Sequence, residues 1–76
     1  MEVIIKTYYV AGDLIDGWDF EYKFNTIEEA RAKYNEIAGY MFVGIYPVAY
    51  VSLEEVVDNR TRNTHDENII ARFHRG

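Results

Sequence analysis

The chain contains no cysteine, a single proline and no long apolar run. Without cysteine there are no disulfides, no thiolate ligands for zinc and no thiol nucleophile. A membrane-spanning helix needs about 20 consecutive apolar residues. The most apolar window, residues 40–51, is interrupted by Gly44 and Pro47. Basic residues are also scarce: 8 Lys and Arg stand against 13 Asp and Glu, for a net charge of -5 and a pI near 4.8. Such a surface repels phosphate, so neither direct nucleic-acid binding nor membrane association is expected. The opening Met-Glu-Val-Ile-Ile-Lys lacks the basic start and longer apolar stretch of a signal peptide, and the expected location is the cytoplasm.

What is present is enough for one small domain over residues 1–76. Hydrophobic residues make up 49% of the chain and charged residues 28%, which separates it from disordered sequences. Seven tyrosines, four phenylalanines and one tryptophan exceed what a sheet and one helix can bury, so some aromatics are left for the surface.

Glu2 to Val10 is rich in β-branched and aromatic residues on both alternating sets, as in a strand that is covered on both faces or central in the sheet. Ala11 to Gly17 holds turn formers, and Trp18 to Phe24 then alternates, with Trp18, Phe20, Tyr22 and Phe24 on one side and Asp19, Glu21 and Lys23 on the other. These two strands should form an antiparallel hairpin. Thr26-Ile27-Glu28-Glu29 is a capping box that opens a helix whose apolar stripe is Ile27, Ala30, Tyr34, Ile37 and Ala38. Gly39 is the expected left-handed C-cap, and Tyr40 to Tyr46 the expected third strand, ending at Pro47. Ser52 to Val57 reads as either a short capped helix or a strand, Asp58 to Asn68 as a polar loop, and Ile69 to His74 as a last strand. The expected fold is α+β: a small antiparallel sheet of three to five strands, β-β-α-β plus a C-terminal strand, with one principal helix on one face. The other face is left uncovered.

Motifs for catalysis are missing. There is no Gly-rich phosphate loop, nucleophile elbow or HExxH, so the expectation is a protein that is not an enzyme and takes no cofactor. His65-Asp66-Glu67 are adjacent, and adjacent residues of an extended segment point apart. Asp13, Asp16 and Asp19 recur every third residue, whereas a calcium loop needs alternate positions and a terminal Glu, so no metal is expected. The acids read instead as an exposed hairpin tip.

Charge is segregated. Residues 1–59 hold 11 acids and 4 bases, and residues 60–76 hold 2 acids and 4 bases, Arg60, Arg62, Arg72 and Arg75. A basic tail of this kind either docks on the acidic body or forms a small anion patch. The acids at helix starts, Glu28, Glu29, Glu54 and Glu55, also have a local reason in the helix dipole.

Phe24-Asn25-Thr26-Ile27-Glu28-Glu29-Ala30, following an aromatic strand and preceding a return at Gly39, gives residues 1–51 a plan that resembles small acidic bacteriophage proteins which inhibit host machinery, including anti-CRISPR proteins and RNA-polymerase inhibitors. The resemblance implies a phage-encoded inhibitor in the host cytoplasm. With the acidic body, the expected function is a non-enzymatic protein-binding inhibitor or adaptor that mimics nucleic acid and occupies a basic groove of a protein or nucleoprotein complex. The expected contact residues are Asp13, Asp16, Trp18, Asp19, Glu21, Glu28, Glu29, Tyr46 and Tyr50. The alternative is a self-associating structural or regulatory domain, a homodimer through the open sheet face or an edge strand.

Overall fold

Alternating apolar residues over the first and last thirds of the chain, and a 3.6-residue stripe between them, produce four strands and one helix. The structure, a computed structural model, describes residues 1–44 and 47–74. In chain order the elements are β1 (Ile4–Leu14), β2 (Asp19–Phe24), α1 (Ile27–Phe42), β3 (Val48–Asn59) and β4 (Thr64–His74). The strands form one antiparallel sheet in the order β2-β1-β3-β4. The fold is therefore α+β, one helix on a four-stranded sheet, as its patterning predicts.

The core lies between α1 and one face of the sheet. Val10 pairs with Leu53 across β1 and β3, and both are fully buried, as are Val48 and Val51. Ala30, Ile37 and Met41 meet them from the helix, with Phe20, Phe24, Ile27, Tyr34, Ala71 and Phe73 packed around the margin. Tyr8 is buried in the same layer, with the carboxylate of Glu55 as its register partner on β3. Burial, then that carboxylate, hold the phenol pKa above its ordinary 10.0.

Thr26 caps the helix as the capping box predicts: its hydroxyl accepts from the Glu29 amide at 3.3 Å. The Glu29 carboxylate accepts from that hydroxyl at 2.9 Å rather than from the Thr26 amide. The far end differs from expectation. The helix passes through Gly39 and runs to Phe42, so the third strand expected over Tyr40 to Tyr46 is not there: Tyr40 to Phe42 are helical, and Tyr46 lies outside the described residues. The reason is Met41, four residues beyond Ile37 and buried with it; that burial outweighs the roughly 0.5–1 kcal/mol cost of a mid-helix glycine. The left-handed glycine is Gly44, at φ 77, whose amide donates to the Met41 carbonyl in the manner of a Schellman closure.

Further expectations are corrected, and one left open is decided. β1 continues through Gly12 and Asp13 to Leu14, so the hairpin turn is shorter than Ala11 to Gly17. Ser52 to Val57 is strand, where Val56 and Val57 prevail over the capping-box pattern. The expected loop Asp58 to Asn68 is the β3–β4 hairpin, turning over 60–63 with Asn63 at φ 55. Trp18 is not on the buried face of β2: it sits in the turn, 73% exposed. Tyr22 is exposed too, with Lys33 Nζ 5.0 Å from its ring centre.

At roughly 3.3 Å per residue the long strands outreach a helix that rises about 1.5 Å per residue. The molecule measures 47 × 23 × 15 Å. The helix covers the end of the sheet that holds Tyr8 to Leu14, and the other end projects as a three-stranded ribbon.

Gly12 marks the tightest backbone approach: a Cβ there would lie 1.9 Å from the Tyr50 carbonyl oxygen and 3.0 Å from the Phe20 ring. A Cβ on Gly39 would meet nothing within 4 Å. Gly39→Ala is expected to raise stability by about 0.5–1 kcal/mol, Gly12→Ala to lower it by about 1–3 kcal/mol, and Leu53→Ala to lower it by about 2–5 kcal/mol. Urea titrations followed by circular dichroism check all three, and a loss of stability in Gly39→Ala would return the residue to a C-cap.

Candidate functional site

Side chains alternate across a sheet, so the register that buries Tyr8, Val10 and Leu53 under the helix sends their neighbours to the opposite, uncovered face. That face carries Asp19, Glu21 and Lys23 on β2, Tyr9, Ala11 and Asp13 on β1, Tyr50, Ser52, Glu54, Val56 and Asp58 on β3, and His65, Glu67, Ile69, Arg72 and His74 on β4. Two shallow depressions lie on it. One, of about 410 Å³, is lined by Ala11, Asp13, Asp19, Glu21, Tyr50 and Ser52, with Gly12 and Phe20. The other, of about 250 Å³, is lined by Tyr9, Glu21, Glu54, Val56, His65 and Glu67. Glu21 belongs to both, so they form one trough across the strands. Its floor is apolar or small, with Val56 and Ser52 buried, and Ser52 Oγ donates to the Ala11 carbonyl at 3.3 Å. Its walls are mostly carboxylates, with Tyr9, Tyr50 and His65 among them.

Asp13 and Asp19 stand directly opposite one another across β1 and β2. Like charges in that position destabilise a sheet. Asp19, chiefly as an acceptor that favours the protonated form, then desolvation and like-charge repulsion, raise the Asp13 pKa above 3.8. At the other end of the trough His65 Nδ1 lies 2.6 Å from Asp58 Oδ1, its register partner, and Nε2 lies 3.9 Å from Glu67. The Asp58 bond is the chief reason the His65 pKa stands above 6.5, desolvation opposing it.

Among the expected contact residues, Asp13, Asp19, Glu21 and Tyr50 come together around the larger depression. The Tyr50 ring lies 4.6 Å from that of His74. Asp16 and Trp18 are at the hairpin tip, where the Asp16 carboxylate accepts from the Trp18 amide at 3.1 Å and so shapes the turn. Glu28 and Glu29 start the helix, away from the trough, and Glu29 is engaged with Thr26. Tyr46 lies outside the described residues. Glu54, Asp58, His65 and Glu67 share this face only once residues 52–68 are read as two paired strands, while Tyr9 follows from the alternation of β1. Taken as two strands joined by a short turn, that segment sets Glu54 and Asp58 on one side at alternate positions, with Val56 between them.

The basic tail divides. Arg62 Nε is ion-paired with Glu2, and the Arg60 amide donates to the Val3 carbonyl, so the β3–β4 turn is tied to the N-terminal segment. Arg72 is exposed towards the other end of β4, apart from that turn, and Arg75 lies outside the described residues.

No group of three or more histidine and carboxylate side chains converges as a metal site among the described residues. Nor is any helix among them long and apolar enough to cross a membrane. No protein-family model, curated protein or solved structure matches the chain.

The two perturbed groups give opposite-sided tests. Asp13 binds its proton more tightly folded than unfolded, so its contribution to stability is full below pH 3.8 and lost as pH rises through the folded value. Asp13→Asn is therefore expected to melt higher than the parent at neutral pH and to show no such advantage below pH 3.8. For His65 the contribution is full below pH 6.5 and lost above its raised folded value. An NMR titration of His65 should give a midpoint above 6.5, falling in Asp58→Asn; equal midpoints in the two proteins would remove Asp58 as the cause.

Proposed function

We propose that this chain is a non-enzymatic binding protein whose uncovered, acidic sheet face takes a basic surface of a protein partner. The observation that carries the reading is the Asp13–Asp19 pair: two carboxylates held opposite each other at an exposed site, with Glu21 beside them, where the fold gains nothing from their charge. A lysine or arginine placed between them relieves the repulsion and is attracted by both. Glu54, Asp58 and Glu67 extend the negative field along the trough, which speeds association with a positively charged groove. Tyr9 and Tyr50 supply aromatic contact beside the charges.

A row of carboxylates on a small rigid sheet presents negative charge as a nucleic-acid backbone does. The specific form of the reading is thus an inhibitor or adaptor of the phage anti-defence type, acting in the host cytoplasm by occupying a nucleic-acid-binding groove. Two such faces pressed together would set carboxylates against carboxylates, so face-to-face self-association is the weaker use of this surface.

Affinity capture from a host lysate with the tagged chain, eluted in a salt gradient, tests the reading. A stoichiometric basic partner should leave the column at moderate salt. Asp13→Lys with Glu21→Lys should lose it, while Glu28→Lys with Glu29→Lys on the helix side should keep it. Circular dichroism of both double variants separates loss of capture from loss of fold. A partner held equally by both double variants, or indifferent to salt, rules out the acidic trough.

A further inference from the structure

β4 is an edge strand of 11 residues with no strand on its outer side. An open edge of this length is a template for another strand. The opposite edge, β2, has six residues and is flanked by the helix, Lys33 lying over Tyr22. Thr64 to Ile70 is exposed throughout, including two adjacent isoleucines at mid-strand, Ile69 at 52% and Ile70 at 39%. The acids of β4, Asp66 and Glu67, precede those isoleucines, and its arginine, Arg72, follows them. Arg72 makes no ion pair among the described residues. A strand that is acidic at one end, apolar in the middle and basic at the other is complementary to itself when turned antiparallel.

The bulge in β4 selects the register. Leu53 faces Ala71 and Glu54 faces Ile69, so Ile70 is an extra residue and the facing of side chains shifts by one across it. Glu67 and Arg72, five positions apart, consequently point to the same side of the sheet. In a regular strand they would point to opposite sides. Two copies of β4 related by a two-fold axis between Ile69 and Ile70 therefore bring like faces together along both arms. That register sets Glu67 of each copy opposite Arg72 of the other, twice, around a centre of four isoleucines. A slip by two residues in either direction sets Arg72 opposite His65 or opposite Ile69 and loses both ion pairs.

We propose that the chain forms a two-fold homodimer by antiparallel pairing of β4 with β4 of a second copy in this register. The product is a continuous eight-stranded sheet with both helices on one side and both acidic troughs on the other. The pairing does not rest on what the trough binds, although it takes Glu67, at the β4 end of the trough, into an ion pair.

Sedimentation equilibrium across a concentration series should give a mass near twice 8.9 kDa. Arg72→Glu, or Glu67→Arg, replaces two attractions with two repulsions and should weaken the dimer at least about tenfold. The exchange of both, Glu67→Arg with Arg72→Glu, should restore it. Circular dichroism confirms that each variant is folded, and hydrogen exchange of the β4 amides should slow as concentration rises. A folded parent that stays monomeric at millimolar concentration overturns the proposal. So does a dimer that neither single reversal weakens, or a double exchange no tighter than the singles.

Discussion

Everything in this molecule hangs on the pairing of β1 with β3. These strands supply Val10, Val51 and Leu53, the centre of the core, and among the described residues they are the two with a strand on each side. Because β1 begins the chain and β3 follows the helix, their ladder joins two hairpins into one sheet. α1 is then fixed by geometry: it leaves β2 at Phe24, crosses back over the sheet and delivers the chain to Val48, burying Ala30, Ile37 and Met41 on the way. The helix adds the apolar cover for one face. With a single helix there is nothing to cover the other.

That shortage accounts for the character of the uncovered face. A sheet face in water must be polar or be occupied, and here the requirement is met mostly with carboxylates, Lys23 on β2 and Arg72 on β4 being basic side chains on the same face. An ordinary solvated sheet mixes charges so that cross-strand pairs attract. Asp58 with His65 follows that rule; Asp13 with Asp19 breaks it. Local rules broken at an exposed position are where function is expected to show, and this gives the trough its weight over the acids of the helix start, which the dipole and Thr26 explain.

The legible parts of the sequence were those with one strong signal. β2 alternates without interruption, and the Thr26 cap with the stripe from Ile27 to Ile37 defines the start and buried side of α1. The sequence is ambiguous where two signals compete. At Gly39 the glycine argued for an end, while the stripe, continued to Met41, argued for another turn, and packing decided. At Ser52 to Glu55 a capping box overlapped a β-branched run, and pairing with β1 on one side and β4 on the other settled it as strand. The exposed half of β4 reads as a loop because its residues are polar on both sides, as they must be where a ribbon has no layer above or below it. Asp13, Asp19 and Glu21 could be assigned from alternation around the hairpin; Glu54, Asp58, His65 and Glu67 could not, since their common face exists only once β3 and β4 are paired.

The order of the strands also shapes how the chain reaches this structure. β1 with β2, and β3 with β4, are neighbours in sequence and close over short turns, whereas the β1–β3 ladder joins residues such as Ala11 and Ser52, 41 positions apart. Loop closure makes the local hairpins inexpensive in entropy and concentrates the search in one event, the meeting of their inner strands. The residues that reward that event are the apolar ones of the core layer, so the same few side chains that hold the finished sheet together also govern the speed at which its two halves find each other.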